Sequence, residues 1–307
     1  MGHKNKESII RQVDNRLTAA LAIGESRYQG KRDGTAKGKI YSWGTINTYR
    51  AQCCRFARWA RSERGCRTLE DARPVAGDYL EREIARGLSP YTIRTEAAAL
   101  AKLYGCTSDD FGVEMPQRSR ARITRSREAV ERDKGFSPVR NSALVDVAEC
   151  TGLRRAELAC LTGDKLISHG DGTYSVLVDR GTKGGRVRVA PVVGPPDQVR
   201  RVVDLMQAAG SGKVFHRINS HADIHHMRAV YASRVYARAL EGKSSASIGR
   251  NAVRGPGAGR EGHQSGVYCC RKDRRGVWLD REAMRITSEA LGHSRINVIA
   301  EHYLYTL

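Results

Sequence analysis

No apolar stretch in this sequence approaches the roughly 20 consecutive residues that a membrane-spanning helix requires, so no membrane association is expected. No signal-peptide core follows Met1-Gly2-His3-Lys4-Asn5-Lys6-Glu7, and Lys6 stands where a myristoylation motif needs Ser or Thr. The expected location is therefore cytoplasmic. None of the eight cysteines belongs to two separated Cys-x-x-Cys or His-x-x-x-His arms, the spacing a structural zinc site uses. Cys53-Cys54 and Cys269-Cys270 are adjacent pairs, which suits buried thiols in a reducing compartment better than a secreted disulfide framework. Acidic residues are few, 33 Asp and Glu against 53 Lys and Arg, and they do not cluster as metal-dependent nuclease chemistry would need. No internal repeat is present. Nothing in these absences calls for a metal or another cofactor.

What the chain does have is a formal charge of +20 over 307 residues and a pI near 10.0. Its length and 40% apolar content suffice for two domains with ordinary cores. A positive surplus of this size recruits polyanions, of which nucleic acid is the usual one. The charge is not carried by a tail: residues 1–140 hold 28 basic and 17 acidic groups, residues 141–307 hold 25 and 16. Two cationic bodies gripping one double-stranded DNA would produce this balance.

Residues 1–41 are polar, and Gly30–Lys39 is rich in Gly and Lys, so they read as a flexible basic N-terminal arm. Residues 42–116 read as a small helical DNA-binding domain. From Thr45 the apolar positions Ile46, Tyr49, Cys53, Phe56 and Trp59 follow a helical period, with Arg50, Arg55, Arg58 and Arg61 on the other face. A second helix is expected over Val75–Arg86. A third starts with Ser89 as N-cap and Pro90 as first helical residue, and carries Arg94. Residues 117–136 form a basic linker in which Arg118, Arg120 and Arg122 could lie along phosphates. Residues 137–307 form a mixed second domain: helices to Gly152 and from Arg155, a hairpin over Tyr174–Asp179 and Arg186–Val192, then helices near 197–209, 223–240, 281–291 and 294–304. The Gly/Ser/Arg-rich stretch 242–276 has little periodicity and reads as an insertion. The expected fold class is mainly α with a small β-hairpin or sheet, in two domains.

Four segments belong together: Thr151-Gly152-Leu153-Arg154-Arg155-Ala156-Glu157-Leu158, the hairpin tip with Lys183, His225-His226-Met227-Arg228, and Leu291-Gly292-His293 followed by Tyr303. Two arginines, a lysine, two histidines and a tyrosine without a carboxylate cluster suit phosphoryl transfer without a metal. Guanidinium forks neutralise the charge of a pentacoordinate phosphorus. A phenol can be the covalent nucleophile, and a lysine on a mobile hairpin can protonate a leaving 5′-oxygen.

In this order the segments resemble the signature boxes of the tyrosine recombinase (phage integrase) family, over Ser137 to the C-terminus; the helical 45–104 region is similar in pattern to that family's core-binding domain. The resemblance implies a catalytic set of Arg154, Lys183, His225, Arg228, His293 and Tyr303, and a 3′-phosphotyrosyl intermediate. It implies a site-specific recombinase that integrates or excises a mobile element, acting as a homotetramer on two DNA attachment sites in a bacterial nucleoid, with accessory DNA-bending or excision factors as possible partners. The 75-residue interval from Arg228 to Tyr303 is long for the family, and the 242–276 insertion accounts for the excess. Tyr305 is a rival nucleophile. A telomere resolvase or type IB topoisomerase-like strand transferase is the alternative within the same chemistry; a catalytically silent DNA-binding protein of the same fold is the alternative outside it.

Overall fold

The computed structural model describes residues 7–119, 123, 135–183, 185–241, 266–271 and 274–305. The chain divides into two compact units between Arg118 and Ser119.

The first unit is helical. Ser8 caps α1 (Ile9–Ala19) by accepting from the Arg11 N–H, and Ile9, Val13 and Leu17, one turn apart, are all buried. After α2 (Arg27–Arg32), a parallel bridge joins Leu21 to Ile40. Residues 1–41 are therefore not a flexible arm in the part described: α1 supplies core to this unit. The long α3 (Trp43–Arg64) buries Ile46, Cys53, Phe56, Trp59 and Ala60, the face its period predicts, and ends at Gly65 in the left-handed conformation. A capping-box turn, α4 (Leu69–Ala72), leads to α5 (Ala76–Ala85) and then α6 (Pro90–Tyr104), where Ser89 accepts from the Thr92 N–H as its N-cap position requires. Phe56 meets Tyr79 edge-on at 5.3 Å between ring centroids, inside the core these helices share.

The second unit mixes helix and sheet. α7 (Ser142–Thr151) ends at Gly152, and α8 (Arg155–Cys160) starts three residues later. Next comes an antiparallel sheet of β1 (Leu166–Ser168), β2 (Tyr174–Val178) and β3 (Arg188–Pro191) in that spatial order. The expected hairpin is β2–β3, with Val176 opposite Ala190 and Val178 opposite Arg188; β1 adds a strand that its short sequence did not announce. Helices α9 (Pro196–Ala209) and α10 (Ile224–Glu241) follow. β4 (Val267–Cys269) pairs with β5 (Trp278–Asp280), so the range read as an insertion contains a strand; residues 242–265 and 272–273 lie outside the described residues. The last helices are α11 (Arg281–Ala290) and α12 (Asn297–His302), with Leu291, Ile299, Tyr303 and Leu304 buried around α10 and α11.

Candidate active site

The site is built where three helix ends meet. α7 stops at Gly152 with φ +61°, a conformation that favours glycine, and a Cβ there would overlap the Tyr231 ring of α10. The break turns the chain so that Arg154 stands just before α8. Glu157, in the first turn of α8, accepts the Arg154 backbone N–H at 2.7 Å and its Nη1 at 2.8 Å. Arg188 on β3 adds a two-pronged ion pair to the same carboxylate, Nη1 and Nη2 each at 2.8 Å. Burial alone would push the Glu157 carboxyl up; the Arg188 hydrogen bonds and charge, with those of Arg154, outweigh it and hold it at about 2.

Arg228, one turn into α10, is 3% exposed. Its Nη1 donates to the Gly152 carbonyl and its Nη2 to the Leu291 carbonyl at 3.3 Å. These are the C-cap carbonyls of α7 and α11, where a cation satisfies acceptors that a helix end leaves open. Glu157 lies 4.0 Å away. Burial pushes the Arg228 guanidinium down from its ordinary value, with the Tyr303 hydroxyl acting in the opposite direction.

Tyr303 follows α12 and is 6% exposed. Its hydroxyl accepts from Arg228 Nη2 at 3.4 Å and lies 3.2 Å from His293 Nε2. Burial first, then the charges of Arg228, Arg154, Arg188 and His302, press His293 down to about 4, so its ring is neutral at pH 7. A guanidinium only donates, so it takes no proton from the phenol; in the tautomer with its proton on Nδ1, the neutral His293 ring can accept that proton at Nε2. The His225 ring, exposed at the start of α10, has its centroid 5.1 Å from that of Tyr303. Tyr305 packs half-buried against the hydrophobic core of the unit.

Arg154, His225, Arg228, His293 and Tyr303 therefore converge. Lys183 does not touch them among the described residues: it stands exposed in the β2–β3 loop. The base of that loop nonetheless runs close to α8: Gly181 is at φ +68°, and a Cβ there would overlap the Ala156 carbonyl. Glu157 and Arg188 were not among the residues the sequence singled out. Three guanidiniums around one carboxylate leave a site with excess positive charge and a phenol facing a neutral base. Chemically, this can bind a phosphodiester and offer it an oxygen nucleophile.

The basic residues of the first unit differ among themselves. Arg50 forks onto Asp14 at 2.6 and 2.8 Å, and Arg55 reaches the buried Glu96 at 2.9 Å. Arg94 is half-buried and donates to the Met115 and Pro116 carbonyls at 3.2 Å, so it holds the end of the unit rather than standing clear for a phosphate. Arg58 and Arg61 are exposed on α3, and Arg118 lies 5.4 Å from the Tyr91 ring centroid. Arg120 and Arg122 lie outside the described residues.

By fold this is a mainly helical two-unit chain with small antiparallel sheets, the larger unit carrying the phenol and its arginines. No protein-family model and no curated protein matches it. Among solved structures it is similar to a post-cleavage complex of the XerH site-specific recombinase with its palindromic difH substrate, at 15% identity and TM-score 0.45 over 96% of this chain and 90% of that one. It is also similar to the Tn1549 transposon integrase in complex with circular intermediate DNA, at 12% identity and TM-score 0.44 over 97% and 95%. A third is the XerA recombinase, at 13% identity and TM-score 0.30 over 96% and 93%.

Proposed function

We propose that this protein is a site-specific DNA recombinase of the tyrosine type, which cuts and rejoins duplex DNA through a covalent 3′-phosphotyrosyl intermediate. The observation that carries this reading is the Tyr303 hydroxyl held between Arg228 and the neutral His293. In the proposed step the Tyr303 oxygen bonds to the scissile phosphorus, its proton passes to His293 Nε2, and the bond from phosphorus to the 5′-oxygen breaks. Lys183, brought in by the β2–β3 loop when DNA binds, protonates that leaving oxygen. Arg154 and Arg228 hold the non-bridging oxygens, with His225 beside them at the solvent side. Rejoining is the reverse, with a 5′-hydroxyl as the attacking group. The docking of Tyr303 among arginines of its own chain supports delivery in cis, and the cationic residues supply the charge stabilisation without a metal.

The wider reading follows from the same chemistry. A homotetramer on two attachment sites would exchange strands, with integration or excision of a mobile element as the outcome and accessory DNA-bending factors choosing the direction. The protein would work on the bacterial nucleoid, with exposed cations such as Arg58, Arg61 and Arg118 along the phosphates. The test is direct. Sheared, nicked genomic DNA of the source organism is incubated with the protein and denatured, and protein-linked fragments are recovered and sequenced. Recovery of one recurrent junction, lost in Tyr303→Phe with binding retained, is the expected result. Tight binding without any adduct would instead make it a silent DNA-binding protein.

A further inference from the structure

We propose that Arg188 is a positioning residue of this site: its guanidinium joins the Glu157 carboxylate to the Ala290 carbonyl and so holds Arg154 and the His293 loop in one register. This rests on the recombinase reading for its kinetic consequence, but not for its geometry.

Val187, just before β3, and Val189 within it are 58% and 50% exposed, while the Arg188 side chain is only 7% exposed and shares the inward face with the buried Ala190. Burying the charge and exposing the apolar neighbours reverses what strand alternation normally selects. The reversal is explained by what Arg188 meets inside. Two of its nitrogens take both oxygens of Glu157, and its Nε donates to the Ala290 carbonyl at 3.1 Å, at the C-terminal end of α11. Gly292, at φ +71°, has no Cβ, and one built there would lie 2.9 Å from Arg188 Cδ. The glycine before His293 is thus the space into which the Arg188 side chain fits.

These contacts join separate parts of the site. Glu157 anchors Arg154 through both its backbone and its guanidinium. Ala290 and Gly292 lead into His293, which faces Tyr303. β3 itself is the returning strand of the hairpin that carries Lys183. Arg188 does not approach the Tyr303 hydroxyl by any hydrogen bond among the described residues, so its action is through these other groups. A lysine cannot replace it, because one ammonium cannot fork a carboxylate and reach a carbonyl in a second direction.

The test compares the full-length wild type with Arg188→Lys, Glu157→Gln/Arg188→Met and Arg188→Ala. Arg188→Ala strands a buried carboxylate, so folding is checked first by near-ultraviolet circular dichroism, and the first two variants carry the test where it is unfolded. Two quantities are read. One is the single-turnover rate of adduct formation on the recovered junction, measured beside the half-saturating DNA concentration. The other is the pH titration of His293 by NMR without DNA. That ring is faced by Arg154, Arg188, Arg228, His302 and the Tyr303 phenol from the surrounding elements. The expected result for Arg188→Lys, which keeps the charge, is cleavage slower by about 100-fold, the cost of a small misplacement, with DNA affinity nearly unchanged. His293 should titrate higher than in the wild type, as its loop loosens and water enters. Arg188→Lys cleaving at the wild-type rate, or His293 titrating as in the wild type, overturns the proposal. If the wild type itself forms no adduct, the recombinase reading fails, and the His293 titration alone decides whether Arg188 sets that loop.

Discussion

Glu157 and His293 both titrate away from their ordinary ranges, and both tie the stability of the second unit to pH. The Glu157 carboxyl is held at about 2, against 4.5 ordinarily, so its contribution is complete above pH 4.5 and is lost as pH falls toward 2. For a fully buried carboxylate the effect is about 3 kcal/mol. His293, held at about 4 against 6.5, takes up its proton more readily when the chain is unfolded, so stability also falls as pH drops from 6.5 toward 4. Thermal unfolding of the wild type should show both declines, and His293→Gln should flatten the upper one while leaving the lower. An unchanged upper decline in that variant would mean that another group drives it. At this scale the sequence was informative where residue types named a chemistry: Arg154, His225, Arg228, His293 and Tyr303 were legible because ordered boxes carried them. Arg188 was not, since alternation in Val187-Arg188-Val189 points the valines inward unless a buried carboxylate waits beneath the arginine. Glu157 left a fainter signal, a carboxylate three residues after the residue preceding a helix.

The elements that place these side chains depend on breaks as much as on periods. α7 must stop at Gly152 for Arg154 to face Arg228, and Gly152→Ala would combine a left-handed backbone with a clash against Tyr231. A loss of about 2 kcal/mol or more in urea unfolding is expected, with cleavage reduced in what still folds. α1 gives the opposite lesson. A short apolar set in a polar, basic stretch does not stand out, but Ile9, Val13 and Leu17 lie on one stripe and are all buried. Leu17→Ala should therefore destabilise the first unit by about 2–5 kcal/mol, as removal of a buried leucine does. No shift in its unfolding midpoint would restore the reading of a loose arm. α3 and α6, by contrast, were legible from strong periods and the Ser89-Pro90 cap, because local chemistry and packing agree there.

At the scale of the whole molecule, the surplus of 20 positive charges spread over both units is the feature that composition alone revealed. Many of those cations are paired within the chain, as Arg50 with Asp14 and Arg55 with Glu96 show, so the number left to meet a polyanion is smaller than the count of exposed arginines. Affinity for duplex DNA should still fall by about 1,000-fold between roughly 50 and 200 mM salt, the behaviour of a protein that displaces several counterions. Affinity independent of salt would argue against a backbone grip. Adduct formation, once seen, should persist in EDTA, because arginines and a lysine supply the charge that a metal would otherwise bring; inhibition reversed by added metal would contradict that.

Peptide mapping of the adduct decides whether one phenolic oxygen attacks DNA. After nuclease trimming and trypsin, the fragment following Arg295 contains both Tyr303 and Tyr305, and fragmentation in the mass spectrometer separates them. The nucleotide remnant is expected on Tyr303 through a 3′-phosphate. A remnant on Tyr305, on another residue, or on no residue at all would contradict it.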